Sequence, residues 1–232
     1  MTLEILDNDD LVAKKAASII ADEARKAVTL RGQFILAVSG GRTPWKMLRM
    51  LGEEDVPWQA MHILQVDERM APEGDPDRNL THLEESLSSR KQILADRIHA
   101  MPVEEQDIDA AAAGYADTIS RIAGKPSFID LVHLGLGTDG HTASLVPGDP
   151  VLEVNDRDVA TTDIYLGRHR MTLTYPLINR ARKILWLVTG SEKSSMLQRM
   201  LEHDQSIPAG RVSQENALVL ADMEATKKAN RK

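Results

Sequence analysis

The sequence predicts an α/β protein, a three-layer α/β/α fold around a mainly parallel, Rossmann-like sheet. Three observations predict it. Largely apolar runs at residues 34–38, 62–66, 129–134 and 184–188 have the length and character of strands buried on both faces. Between several of these runs, apolar residues recur at steps of three and four, the spacing of an amphipathic helix. Aromatic residues make up only 3% of the 232, so the core must be built from Leu, Ile, Val, Ala and Met. Such a core suits helices packed on a sheet better than an aromatic-rich sandwich.

The elements follow in order. Residues 10–28 place Leu11, Val12, Ala16, Ile19, Ile20, Ala24, Ala27 and Val28 on one helical stripe, with Asp9 or Asp10 as N-cap and Gly32 just beyond the end. The strand at 34–38 leads into Ser39-Gly40-Gly41-Arg42-Thr43-Pro44, where Thr43 and Pro44 suit the cap and first turn of a helix reaching Gly52. A strand at 62–66 precedes a helix at 79–93, with Thr81 and Glu84 at capping-box spacing. A short strand at 98–101 and an Ala-rich helix at 108–122 follow, then the strand at 129–134, which runs into glycines. Residues 158–165 and 171–174 read as extended. The strand at 184–188 feeds a helix at 191–201, and 217–220 closes the series. No repeat, low-complexity tract or linker interrupts residues 1–232, so one domain is expected.

Composition excludes several classes of function. With no cysteine there are no disulfides, thiolate metal sites or cysteine nucleophiles. The N-terminus lacks the basic and apolar regions of a signal peptide, and no apolar run is long enough to span a bilayer. A cytoplasmic protein without membrane attachment is expected. A net charge of −7 argues against nucleic acid as a partner but leaves room for a small anion held by a few converging cations. The seven histidines show no metal-ligand spacing and no GxSxG elbow occurs, so neither a metal centre nor a Ser-His-Asp hydrolase is expected.

Four strand ends carry unusual chemistry, and in such folds ligands bind at the carboxyl ends of strands. Gly40 and Gly41 permit close backbone approach, and Arg42 and Thr43 add donors beside a helix N-terminus. Taken alone, this loop fits a phosphate cradle and a capped tight turn equally well. Asp67-Glu68-Arg69 brings two carboxylates and a guanidinium to a strand end; alone it fits a solvated turn better. Residues 135–140 contain GxGxxG, but Pro147, Gly148 and Pro150 interrupt the long helix a dinucleotide site needs. Asp139-Gly140-His141 reads better as an imidazole base on a tight turn with a carboxylate to fix its tautomer. Arg168, His169 and Arg170 precede one strand, with Arg168 and His169 open to a solvated role. Lys193 lies in the first turn of a helix, where a cation opposes the dipole and an anionic ligand explains it better.

Together the segments LAVSGGRTP, QVDERMAP, DLVHLGLGTDGHTASLVPG and RMTLTYPLINRARKILWLVTGSEKSSML resemble the 6-phosphogluconolactonase family, in the family's order, from residue 34 to 201. The resemblance implies the fold of glucosamine-6-phosphate deaminases and ribose-5-phosphate isomerases. It also implies cofactor-free hydrolysis of 6-phospho-D-glucono-1,5-lactone, a small sugar-phosphate substrate, by a monomer or weak homo-oligomer. Carried over by position, His141 becomes the general base, oriented by Asp139. Gly40, Gly41, Arg42, Thr43, Asp67, Arg69, Arg170 and Lys193 become substrate and phosphate contacts.

Two positions depart from the family pattern. Arg78 stands in a usual Asp-Ser-Asn segment, which leaves the role of Asn79 open, and Val146 replaces an aromatic. Aminosugar-phosphate deaminases resemble this chain in the first loop and the Asp-Gly-His turn. They place a glutamate where Val146 stands and an aromatic where Arg69 stands, which favours the lactonase. A sugar-phosphate sensor without chemistry would not need His141 and Asp139.

Overall fold

The computed structural model describes residues 1–88 and 95–227. A strand the apolar pattern does not announce, β1 (Thr2–Leu6), opens the chain. Helix α1 (Asp9–Arg31) follows, capped by Asn8, whose Oδ1 accepts from Leu11 N at 3.0 Å. The expected caps, Asp9 and Asp10, are drawn away to Lys46 at 3.0 and 2.6 Å. Strand β2 (Phe34–Val38), helix α2 (Arg42–Leu51) and strand β3 (Met61–Gln65) come next. The segment Asp67–Arg69 forms a strand of its own, β4, instead of a bare strand end.

Helix α3 (Asn79–Leu87) starts as expected; its expected end at Ile93 lies outside the described residues. Then follow β5 (Ile98–His99), α4 (Ile108–Ala123), β6 (Leu131–Gly135), β7 (Val159–Thr161), β8 (Arg170–Leu173) and α5 (Tyr175–Asn179). The chain continues through β9 (Ile184–Val188), α6 (Ser194–Leu201), β10 (Ala217–Asp222) and α7 (Met223–Thr226). A 3-10 turn, Ser191–Lys193, forms what reads in the sequence as the first turn of α6.

Seven strands form one all-parallel sheet in the order β1-β10-β9-β6-β2-β3-β5. Alternation along β2 shows why its apolar run is unbroken. Phe34, Leu36 and Val38 face a core with the apolar stripes of α1 and α2, while Ile35 and Ala37 face a second core containing Ala111, Tyr115 and Ile119 of α4. The three-layer α/β/α class follows from that double burial. A second, three-stranded antiparallel sheet, β4-β8-β7, lies outside the parallel one. Of the stretch expected to be extended at 158–165 it carries only Val159–Thr161; β8 covers most of the stretch expected at 171–174 and gives Asp67–Arg69 a partner in Arg170–Thr172.

Helix α3 is not opened by Thr81 and Glu84. Its N-cap, Arg78, makes no side-chain cap, and the fully buried Glu68 supplies the acceptors from outside. Glu68 accepts from Asn79 N and Leu80 N at 2.8 Å each, from Arg69 N at 2.8 Å and from Gln65 Nε2 at 2.6 Å. A carboxylate at a helix N-terminus is favoured by the dipole, and here it satisfies orphan donors that burial would otherwise penalise. Glu68→Ala is therefore expected to cost about 3 kcal/mol or more of stability. Urea unfolding measures it: a lower midpoint is expected, with Glu68→Gln intermediate, and an unchanged Ala midpoint contradicts the capping role.

Candidate active site

Strand order reverses between β2 and β6, so the connections leaving their carboxyl ends diverge, and a cavity of about 640 Å³ lies there. Gly40, Gly41, Arg42, Thr43, Asp67, Arg69, His141, Arg170 and Lys193 all line it. Asp139 stands directly behind His141. The structure brings these residues together, while Glu68, Arg168 and His169 from the same segments do not line the cavity.

The loop after β2 is shaped by its neighbours. A side chain at Gly40 would overlap Asn79, with an added Cβ 2.0 Å from Asn79 Oδ1. Gly41 has φ of 134° and is the N-cap of α2, which no side chain caps. Thr43 does not act as the cap: its Oγ1 lies 2.9 Å from Thr189 Oγ1, tying this loop to the one after β9. Beneath the loop, buried His133 accepts from Ser39 N through Nδ1 at 3.2 Å. Burial pushes that imidazole down to about 3, so it is a neutral prop.

Asp67 is buried and accepts from Ser144 Oγ at 2.7 Å and Ser39 Oγ at 3.3 Å. It thereby joins the β2 loop to the segment after His141. Arg69 donates to Asp77 O and Asn79 Oδ1 at 2.9 Å each, and Asn79 Nδ2 donates to Asp67 O at 2.9 Å. Asn79 thus holds the loops in register at the cavity wall, which answers the question its sequence context leaves open. Arg78 turns away and pairs with Glu104 at 3.1 Å and Glu68 at 3.9 Å. Arg168 and His169 are not simply solvated. Arg168 pairs with Asp75 at 3.1 Å and Asp77 at 3.2 Å, and His169 Nδ1 lies 2.8 Å from Thr162 O.

The turn after β6 is built around its histidine. Gly137 N donates to His141 O at 2.8 Å, and Gly140 adopts φ of 85°. A Cβ on Gly137 would stand 2.1 Å from His141 Nδ1 and 2.6 Å from Asp139 Oδ1, so only glycine leaves room for the pair. His141 Nδ1 lies 2.5 Å from Asp139 Oδ1, and His141 N donates to the same oxygen at 3.1 Å. Burial works to raise the Asp139 carboxyl. Hydrogen bonds from the His141 backbone and side chain and from Tyr165, with the His141 charge, outweigh it and hold Asp139 below the usual carboxylate range. A carboxylate accepting at Nδ1 keeps that nitrogen protonated and leaves Nε2 as the free base.

The cavity wall carries four cations, Arg42, Arg69, Arg170 and Lys193, against two carboxylates, Asp67 and Glu192. In a chain of net charge −7 this is a local reversal that suits an anion. Arg170 is 6% exposed, and its Nε is buried with no hydrogen-bond partner. Among the described residues neither Arg170 nor Lys193 forms an ion pair. Burial and the neighbouring Arg69 push the Arg170 guanidinium down from its ordinary value, outweighing the Asp67 and Asp77 carboxylates that push it up. A buried guanidinium with an unpartnered Nε calls for an explanation, and an anionic ligand in the cavity would supply one. The guanidinium lies 4.9 Å above the ring of Tyr165, a residue with no sequence signal because its partners, Asp139 and Arg170, belong to other elements. Among the described residues, no three His, Asp or Glu side chains are grouped so as to hold a metal ion.

A cation-lined crevice at the switch point of a parallel sheet, with a carboxylate-oriented imidazole at its mouth, defines an α/β enzyme site for a small anionic substrate. A family model described as glucosamine-6-phosphate isomerases/6-phosphogluconolactonase matches residues 7–220. The chain belongs to this family. A 6-phosphogluconolactonase of Synechocystis sp. is 33% identical over 231 residues, 96% of each chain. A human GDH/6PGL endoplasmic bifunctional protein is 41% identical over 194 residues, 80% of this chain but only 24% of that protein. The crystal structure of a Thermotoga maritima 6-phosphogluconolactonase superposes with a TM-score of 0.85 at 27% identity, covering 95% of this chain and 98% of that one. No helix among the described residues is long and apolar enough to cross a membrane.

Proposed function

We propose that this protein hydrolyses 6-phospho-D-glucono-1,5-lactone to 6-phospho-D-gluconate, with His141 as general base. The single observation that carries this reading is the His141–Asp139 pair at the mouth of a cavity whose buried Arg170 has no counter-ion. The substrate phosphate is gripped by Arg170 and Lys193, with Arg42, the Gly40-Gly41 backbone and the uncapped start of α2 as further donors. Asp67, Arg69 and Asn79 hold the loops that shape the wall. With the phosphate fixed, the lactone carbonyl is presented to His141. Nε2 takes a proton from water as the oxygen attacks C1, forming a tetrahedral oxyanion. On collapse the C1–O5 bond breaks and the imidazolium returns its proton to O5. A δ-lactone is an activated ester, so one oriented base is sufficient chemistry. The cysteine-free, acidic composition supports a cytoplasmic setting for this step.

The deaminase reading lacks support where it needs a carboxylate: Val146 is a buried apolar side chain. Assaying the protein on both substrates separates the two readings. Acid release from freshly made lactone with no ammonia from glucosamine-6-phosphate is expected; the reverse outcome overturns the proposal.

A further inference from the structure

Both oxygens of the Asp139 carboxylate are occupied. Oδ1 faces His141 Nδ1, and Oδ2 accepts from the Tyr165 hydroxyl at 3.0 Å. The Tyr165 ring stands edge-on to the His141 imidazole, with centroids 5.7 Å apart and planes at 67°. The Arg170 guanidinium lies 4.9 Å from the same ring's centroid. One side chain therefore touches the base, the carboxylate that orients it, and the buried cation without a counter-ion. We propose that Tyr165 is a positioning residue of the reaction, its hydroxyl setting the Asp139–His141 pair and its ring carrying Arg170. The inference rests on the lactonase reading above and deepens it.

Three features make this more than an incidental contact. Tyr165 belongs to neither hydrophobic core, so its neighbours are groups of the site and not packing partners. It is also held by the scaffold without help from a ligand. Tyr165 and Arg168 exchange backbone hydrogen bonds of 3.0 and 3.3 Å around Leu166 and Gly167, whose φ of 52° and 84° are the paired positive values of a type I′ hairpin turn. Arg168 then anchors the turn to Asp75, Asp77 and Met70 O at 3.1, 3.2 and 3.3 Å. Finally, burial, reinforced by the Asp139 charge, pushes the Tyr165 phenol above its ordinary value, so it remains a donor through the neutral range. A base whose orienter is itself fixed before substrate arrives pays no reorganisation during the reaction.

The test compares Tyr165→Phe, Tyr165→Leu and His141→Ala with the unaltered protein. Phenylalanine keeps the ring and removes only the hydroxyl: kcat is expected to fall about tenfold, the loss of one hydrogen bond to a charged group, with KM unchanged. Leucine removes the ring as well, so KM should rise in addition to the fall in kcat. A role confined to packing would not produce this split. A second readout is independent of turnover: NMR titration of the His141 imidazole in the resting protein. Among the described residues the titratable groups in contact with it are Asp139 and Tyr165, with Arg170 across the Tyr165 ring and Arg42, Asp67, Arg69, Glu192 and Lys193 on the same cavity wall. Without the phenol donor, the Asp139 charge bears more fully on the imidazole. The titration should move up in the Phe variant. Wild-type kcat and an unmoved titration in Tyr165→Phe overturn the inference. Absence of lactone hydrolysis in the unaltered protein defeats the lactonase reading instead, and the titration still tests the Tyr165 contact.

Discussion

Replacing His141 with alanine is expected to lower kcat for the lactone by roughly 10²–10⁴-fold, the usual contribution of a positioned general base. Affinity for the product 6-phosphogluconate should survive, because the proposed phosphate contacts are other residues. The residues proposed for the two tasks lie on different elements: His141 follows β6, Arg170 begins β8 and Lys193 follows β9. Paired measurements of kcat and of product binding by calorimetry resolve the split. Asp139→Asn should show a smaller loss, since an amide can still accept from Nδ1 but no longer favours the charged imidazole. Full activity in His141→Ala removes His141 from the mechanism.

Replacing Arg170 with alanine should act on the other side of that split. Its guanidinium is buried, forms no ion pair among the described residues and offers an unpaired Nε, the partner that the proposed phosphate contact would supply. A charge-assisted hydrogen bond contributes about 1.5–3 kcal/mol, so KM is expected to rise about 10- to 100-fold. Lys193→Ala should raise KM less, because that ammonium is half-buried and partly screened by water. Steady-state kinetics over a range of salt concentrations checks both. Unchanged KM in both variants contradicts their phosphate role.

Much of the fold is legible because its strands are buried on both faces. The run at 34–38 reads as a strand from composition alone, and its observed bounds are identical. Helix α1 is equally plain from its apolar stripe, yet its cap shifts to Asn8 because Lys46, distant in sequence, competes for Asp9 and Asp10. The helix at Asn79 is foreseen while its cap is not. Thr81 and Glu84 satisfy a local pattern, but Glu68 arrives from another strand with four donors already within reach. Edge strand β1 escapes notice since only one of its neighbours is a strand and its outer residues, Leu3 and Ile5, stay exposed.

The site divides in the same way. Residues carried by glycine-rich turns at strand ends, from Gly40 to Thr43 and from Asp139 to His141, announce themselves through local chemistry. Tyr165, Ser39 and Ser144 act through contacts with residues remote in sequence, such as Asp139 and Asp67. No spacing rule links those positions before the sheet brings them together.

The most direct test is the initial rate of acid release from freshly generated 6-phosphogluconolactone, measured against its spontaneous hydrolysis and repeated with a metal chelator. Acceleration well above background that persists with the chelator is the predicted result, and it should vanish in His141→Ala. A rate equal to the spontaneous one contradicts the assignment of this cavity to lactone hydrolysis.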